Sequence, residues 1–230
     1  MDEKMGSPDI GNAGKGYGDM MVVFDVDGTL FDTKEEIIRS LDIVLERYGI
    51  KKISPEEADL FIGPPITVSL PRYRGIGLQQ AADITREFRE IYKGHVAGSP
   101  PYAGVRDVLE RLRAAGIRIG IATNKPSSQV DVMIGTYGLE DHFDVIKTKE
   151  DPDRSKADLL AEIKKEFPDE DRYLMVGDTM GDLEAAEEAG FGFIEAMYGY
   201  GAFPGPNRYR IREIKDIWAI LELSDIISDR

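Results

Sequence analysis

The sequence predicts an α/β fold, a parallel sheet with helices on both faces, interrupted once by an all-helical insertion. Three observations point to it. Short apolar runs recur along the chain, continuous rather than alternating, as in strands buried on both faces. Amphipathic segments of helical length lie between them. One interval of about seventy residues, from the first run to Gly104, carries helical patterns and no strand pattern. The 230 residues, 42% apolar, suffice for one sizeable core with a small appended domain.

Residues 1–19 are rich in Gly, Asp and Lys, lack apolar periodicity, and read as a flexible leader. Gly11-Asn12-Ala13-Gly14-Lys15-Gly16 lacks the spacing and the preceding strand of a phosphate-binding P-loop. Met20–Phe24 is the first strand and runs into Asp25-Val26-Asp27-Gly28-Thr29. In Lys34–Tyr48 the residues Ile37, Ile38, Leu41, Val44 and Leu45 share one helical face, with Thr33 and Glu36 spaced as a capping box. Pro55–Phe61 and Leu78–Tyr92 complete the helical module, whose expected hinges are Phe31–Lys34 and Gly98–Ala103. Four further strands follow, at Ile117–Ala122, Phe143–Ile146, Tyr173–Val176 and Phe191–Ala196. The helices among them are Val105–Ala115, Ser127–Tyr137, Ser155–Phe167 and Gly181–Ala189, with Gly116, Gly138 and Gly190 as stops. Ile211–Leu223 reads as a last amphipathic helix, its Trp218 stripe a core face.

Composition narrows the function classes. Lys and Arg total 29 against 43 Asp and Glu, a formal charge of −14, which argues against a broad grip on nucleic acid. Small anionic substrates stay open, because a site needs only a few local cations or a metal. With no cysteine there is no disulfide framework, thiolate zinc site or cysteine nucleophile. No apolar run approaches the roughly 20 residues of a membrane span, and the N-terminus has no secretory apolar region. The chain is expected to be a cytoplasmic protein with no membrane or nucleic-acid partner; its oligomeric state is open.

The strand ends carry the chemistry. Asp25 and Asp27 follow the first strand, Thr123 and Asn124 the second, Asp178 and Asp182 the fourth. Ligands of such sheets bind outside the carboxyl ends of the strands. Singly, Asp178, Asp182 or Thr123 would pass for turn or helix-cap residues. Asp25-x-Asp27-Gly28-Thr29-Leu30 is different, with a chance occurrence of about one in a few thousand at average composition.

Phe24-Asp25-Val26-Asp27-Gly28-Thr29-Leu30-Phe31-Asp32 resembles the first motif of the haloacid dehalogenase superfamily. Ile121-Ala122-Thr123-Asn124-Lys125-Pro126 resembles its second motif, and Val176-Gly177-Asp178-Thr179-Met180-Gly181-Asp182 its fourth. The third is a lone Lys before a helix, which Lys156 fits, with Lys147 as the competing position. The resemblance spans about Met20 to Gly201 and implies a Rossmann-like catalytic core at 20–32 and 101–230, with a helical cap at 33–100. Phe61-Ile62-Gly63-Pro64-Pro65, Phe88–Tyr92, Pro101–Val105 and Tyr198-Gly199-Tyr200-Gly201 resemble the phosphoglycolate phosphatase and 5′-nucleotidase-like branch.

That resemblance implies roles. Asp25 would attack phosphorus and carry an aspartyl-phosphate; Asp27 would protonate the leaving oxygen and then activate water. Asp25, the backbone carbonyl of Asp27, Asp178 and Asp182 would hold Mg2+, a hard cation suited to oxygen ligands. Thr123, Asn124 and nearby amides would bind the phosphoryl oxygens, and Lys156 would neutralise further charge. The cap would set specificity, with Gly63, Pro64, Arg72, Arg74 and Arg89 as candidates; His95 and His142 are read as structural. The expected function is a Mg2+-dependent phosphatase acting on phosphoglycolate or a nucleoside monophosphate. A sugar phosphomutase and a non-catalytic binding module are the other readings. Asp27 disfavours dehalogenation, and the residues around Asp25 do not match transport ATPases.

Overall fold

The computed structural model describes residues 19–62, 65–151, 153–201 and 203–223. Its strands are β1 (Met20–Phe24), β2 (Arg118–Thr123), β3 (Val145–Thr148), β4 (Arg172–Gly177), β5 (Gly192–Ala196) and β6 (Arg210–Ile211). They form one sheet in the order β3-β2-β1-β4-β5-β6, with every pairing parallel. The expected parallel α/β architecture is therefore present. The chain steps outward from β1 to β3 and then crosses back to β4, so the strand order reverses beside β1.

All five residues of β1 are buried. Met20, Val22 and Phe24 join one layer with Leu109, Ile121 and Ile217, while Met21 and Val23 join the other with Leu160, Ile163 and Ala186. Period-two alternation between two apolar layers is why the run reads as continuously hydrophobic. Helices α4 (Val105–Ala114), α5 (Ser127–Thr136) and α8 (Ile217–Leu221) contribute to the first layer; α6 (Lys156–Glu166) and α7 (Met180–Ala189) form the second. Trp218 lies in the core, with the Arg111 guanidinium 4.0 Å over its ring. Among the described residues no helix is long and apolar enough to cross a membrane.

Between β1 and α4 stand α1 (Lys34–Arg47), a 3-10 helix at Pro55–Leu60, α2 (Ile66–Arg74) and α3 (Leu78–His95). Helices α1 and α2 both pack on α3. The two connecting segments run side by side: Asp32 N donates to Pro100 O (2.9 Å) and Tyr102 N to Leu30 O (3.0 Å), with Phe31 bridged antiparallel to Pro101.

Several local expectations are corrected. Helix α2 is an element beyond those expected, formed although Pro71 lies inside it; Pro there forfeits one backbone donor, yet the Pro65 carbonyl still takes Val68 and Ser69 N–H. The segment Ile211–Leu223 is not one helix. It divides into the end of β6, a 3-10 turn at Ile214–Asp216 and α8, because Glu213 and Asp216 make a capping box that starts a new turn. A two-residue strand such as β6 is too short to show periodicity. The third strand lies at Val145–Thr148 rather than Phe143–Ile146. Finally, Thr33 does not cap α1. Its backbone is helical (φ −98°, ψ 0°), its side chain makes no capping bond, and a distant tyrosine takes that part instead.

Candidate active site

The loop after β1 brings Asp25 to the reversal point, fixed there by its N–H on Val176 O of β4 (3.0 Å). Gly28 follows at φ 76°, and a Cβ there would fall 2.2 Å from Asp178 Oδ2, so only glycine lets the loop close over that carboxylate. Asp178, at the end of β4, accepts from Thr29 Oγ1 (3.3 Å) and from Tyr200 N (2.8 Å). Tyr200 belongs to the turn after β5, which needs glycine for the same reason: a Cβ on Gly199 would sit 2.2 Å from Asp178 Cβ.

Asp182 occupies the first turn of α7. Its Oδ2 accepts from Thr179 N (3.0 Å) and Thr179 Oγ1 (2.7 Å), completing a capping box, while Oδ1 takes the Lys156 ammonium. Lys156 is the first residue of α6, set by a second capping box between Ser155 and Asp158. Its Nζ also lies 2.9 Å from Asp25 Oδ1. The structure thus brings Lys156 to the carboxylates and not Lys147, which points away to Glu166 (2.7 Å).

Asp25, Asp178 and Asp182 are all buried, and each offers an oxygen within 4.8 Å of the others'. Burial, then the Asp182 and Asp27 charges, push Asp25 up to about 6 against the pull of Lys156. Burial and then Asp25 push Asp178 up to about 7. Burial alone would lower Lys156, but Asp182 and Asp25 outweigh it and raise its pKa, so it stays charged. Three carboxylates against one ammonium leave two negative charges uncompensated once all are ionised. A divalent cation with oxygen ligands fits that deficit and that donor set.

Asp27 is separate from this cluster. Its Oδ1 is 3.0 Å from Lys125 Nζ, and Lys125 is itself nearly enclosed. Thr123, at the end of β2, is buried, and its Oγ1 accepts from Lys125 N (3.3 Å); Asn124 beside it is exposed. Sequence reasoning gave Lys125 no role although it lies within the second motif. Tyr200 entered it only within a resembling segment, with no role; its hydroxyl accepts from Thr33 N (2.5 Å) and Lys34 N (3.0 Å) and donates to Asp32 Oδ1 (2.9 Å), capping α1.

Gly63 and Pro64 lie outside the described residues. Arg72 and Arg89 are exposed; Arg72 lies over its neighbour Tyr73 at 5.3 Å. Arg74 spends its donors inside the helical module, on Lys51 O, Lys52 O and Glu57, and lies over the Phe61 ring, so it is a packing residue and not a free cation. His95 bonds Ser40 and His142 lies against Leu139 O, as structural residues would.

Residues 22–196 match the family model described as Haloacid dehalogenase-like hydrolase. The chain is 32% identical over 190 residues to tyrosine-protein kinase PtkA of Mycobacterium tuberculosis, covering 81% of this chain and 65% of that protein. It thus spans just under two thirds of that relative's length. It is 31% identical over 188 residues to a phosphoglycolate phosphatase of Yersinia pestis, 78% of this chain and 81% of the relative. To a 5′-nucleotidase of Pseudomonas aeruginosa it is 30% identical over 187 residues, 79% and 84% of the two chains. The solved structure of M. tuberculosis PtkA superposes with a TM-score of 0.78 at 27% identity, covering 90% of this chain and 99% of that one.

Proposed function

The chain belongs to the haloacid dehalogenase-like hydrolase family, and from that premise we propose that it is a Mg2+-dependent phosphatase of a small phosphorylated metabolite, phosphoglycolate or a nucleoside monophosphate. The observation that carries the reading is the buried cluster of Asp25, Asp178 and Asp182 with Lys156 among them, at the carboxyl ends of adjacent strands. The core at 20–32 and 101–230 does the chemistry in this reading, and the cap at 33–100 selects the substrate. A cytoplasmic site of action goes with it.

Asp25, the Asp27 carbonyl, Asp178 and Asp182 would hold the Mg2+, which supplies charge neutralisation to the phosphate when bound. A carboxylate oxygen of Asp25 attacks phosphorus, and the bond from phosphorus to the ester oxygen breaks. Asp27 delivers its proton to that leaving oxygen. Water then attacks the aspartyl-phosphate and gives its proton to Asp27, which frees inorganic phosphate and restores Asp25. Thr123 Oγ1, fixed by the Lys125 N–H, has its own proton free for a phosphoryl oxygen. Lys156 holds Asp25 and opposes the developing charge.

The test is phosphate release from a panel that includes phosphoglycolate and the common nucleoside monophosphates, with Mg2+ and with EDTA. Metal-dependent release that disappears in Asp25→Asn is expected; equal activity of that variant would overturn the assignment. Similarity to PtkA favours a second reading, transfer of a γ-phosphoryl group from a nucleoside triphosphate to a tyrosine hydroxyl. Labelled γ-phosphate would then appear on a tyrosine-containing acceptor rather than in solution.

A further inference from the structure

Lys125 is a buried ammonium that the scheme above uses only through its backbone. Its side chain is 4% exposed and meets three groups: Asp27 Oδ1 at 3.0 Å, Tyr92 Oη at 3.2 Å and Gln129 Oε1 at 3.4 Å. The Tyr92 ring also faces it, 4.6 Å from the ammonium to the centroid. These partners come from three places. Asp27 lies in the loop after β1, Gln129 is on α5, and Tyr92 is in the last turn of α3, three residues before that helix ends.

From this geometry we infer that Lys125 is a positioning residue for Asp27, and that Tyr92 extends the same hold to the helical module. The inference rests on the phosphatase reading. The Asp27 side chain is 30% exposed, while its Oδ1 is buried against Lys125. Oδ2 is left as the oxygen that can meet a leaving group or a water. Without Lys125 the carboxylate has more than one rotamer open to it, and an acid turned away from the leaving oxygen transfers no proton. Tyr92 in turn fixes the ammonium. It is buried, and it stacks on Phe88 of the same helix (centroids 5.4 Å apart, planes at 12°), so its hydroxyl has little freedom. A shift of α3 against α5 would move Tyr92, and with it the oxygen that hands over the proton.

Asp27 acts twice, so its mispositioning has a kinetic signature. p-Nitrophenyl phosphate has a leaving group that departs without a proton, whereas an alkyl phosphate does not. In Lys125→Met, the first step with p-nitrophenyl phosphate should stay within about 5-fold of wild type, while water activation slows by about 100-fold. Stopped-flow mixing would then show a burst of p-nitrophenol close to one per enzyme, absent in wild type, and trapped aspartyl-phosphate would accumulate. With an alkyl phosphate, the first step itself should fall by about 100-fold. Tyr92→Phe, which keeps the stacked ring, should show the burst in weaker form and carries the same test if Lys125→Met does not fold. Equal losses on both substrates with no burst would overturn the inference, as would a rise in KM alone, the mark of a direct phosphate contact. Wild-type protein that turns over neither substrate would instead overturn the phosphatase reading.

Discussion

Replacing Asp178 by Asn should stabilise the metal-free protein while removing its response to metal. Burial and the Asp25 carboxylate push Asp178 up to about 7, from an ordinary 3.8. A pKa unit corresponds to about 1.4 kcal/mol, so holding this group ionised at pH 8 costs the folded state roughly 4 kcal/mol. Asparagine removes the charge and keeps the shape. Its carbonyl can accept the Tyr200 N–H, and its amide can donate to the Thr29 hydroxyl, the two groups that Asp178 now meets at 2.8 and 3.3 Å. The bond from Tyr200 N–H to the charged carboxylate already lowers that figure, so the gain at pH 8 is about 4 kcal/mol, or about 8–16 °C of melting temperature for a domain of this size.

The pH dependence has a definite sign. Unfolded Asp178 ionises near its ordinary value and folded Asp178 near 7. Between those limits the folded state keeps a proton that the unfolded state has released, so wild-type stability falls as pH rises through the window. Thermal unfolding in EDTA should show the variant ahead at pH 8 and level with wild type near pH 4. Mg2+ at about 100 times its dissociation constant should add about 2.7 kcal/mol to wild type and much less to the variant. A variant that melts below wild type in EDTA at pH 8, or that gains as much from Mg2+, would refute the reasoning.

Lys156→Ala should lower turnover by about 100-fold or more, because Asp25 and Asp182 lose their shared cation; Lys147→Ala, which frees only Glu166, should stay within about 2-fold. Steady-state kinetics of the two variants decides this, and the reverse pattern would remove Lys156 from the site. In the helical module, the Ser54 N–H and then Arg74 hold Glu57 down to about 2. Its contribution to stability is present above about pH 4.5 and lost as pH falls toward 2. The gap in melting temperature between wild type and Glu57→Gln should therefore close across that range, and a constant gap would count against the contact.

How much of this was legible in the sequence depends on how local the signal is. Strand β1 reads plainly because both faces are buried, and Asp25 and Asp27 stand beside each other in one loop. Asp178 and Asp182 were found the same way, within a single turn. Lys156 could be placed only by its offset at the start of α6, which the Ser155–Asp158 capping box fixes. Arg74 shows the limit: a cation near a supposed substrate face became a brace for the Lys51, Lys52 and Glu57 groups, and nothing in its neighbours along the chain announced that. Lys125 and Tyr200 were opaque for the same reason, since their partners meet them only through the fold. Helix α2 was hidden by Pro71, and β6 by its length.

The paired connecting segments have a consequence for how such a chain can change. The backbone leaves the core at Asp32 and returns at Pro100, where hydrogen bonds of 2.9 and 3.0 Å tie the two connecting segments together. Everything from residue 33 to 99 is an excursion whose two ends already touch. A graft of the corresponding segment from a relative must satisfy that short seam and present to Lys125 the hydroxyl that Tyr92 now supplies, with no rearrangement of strand order and no new register in the sheet. In the proposed reading, in which this segment selects the substrate, selectivity can be traded as a unit while the carboxylates at the strand ends stay where they are. The seam is not wholly indifferent to its cargo, however: Tyr200 caps the incoming helix from the same turn that touches Asp178, so a graft must begin with free N–H groups for that hydroxyl.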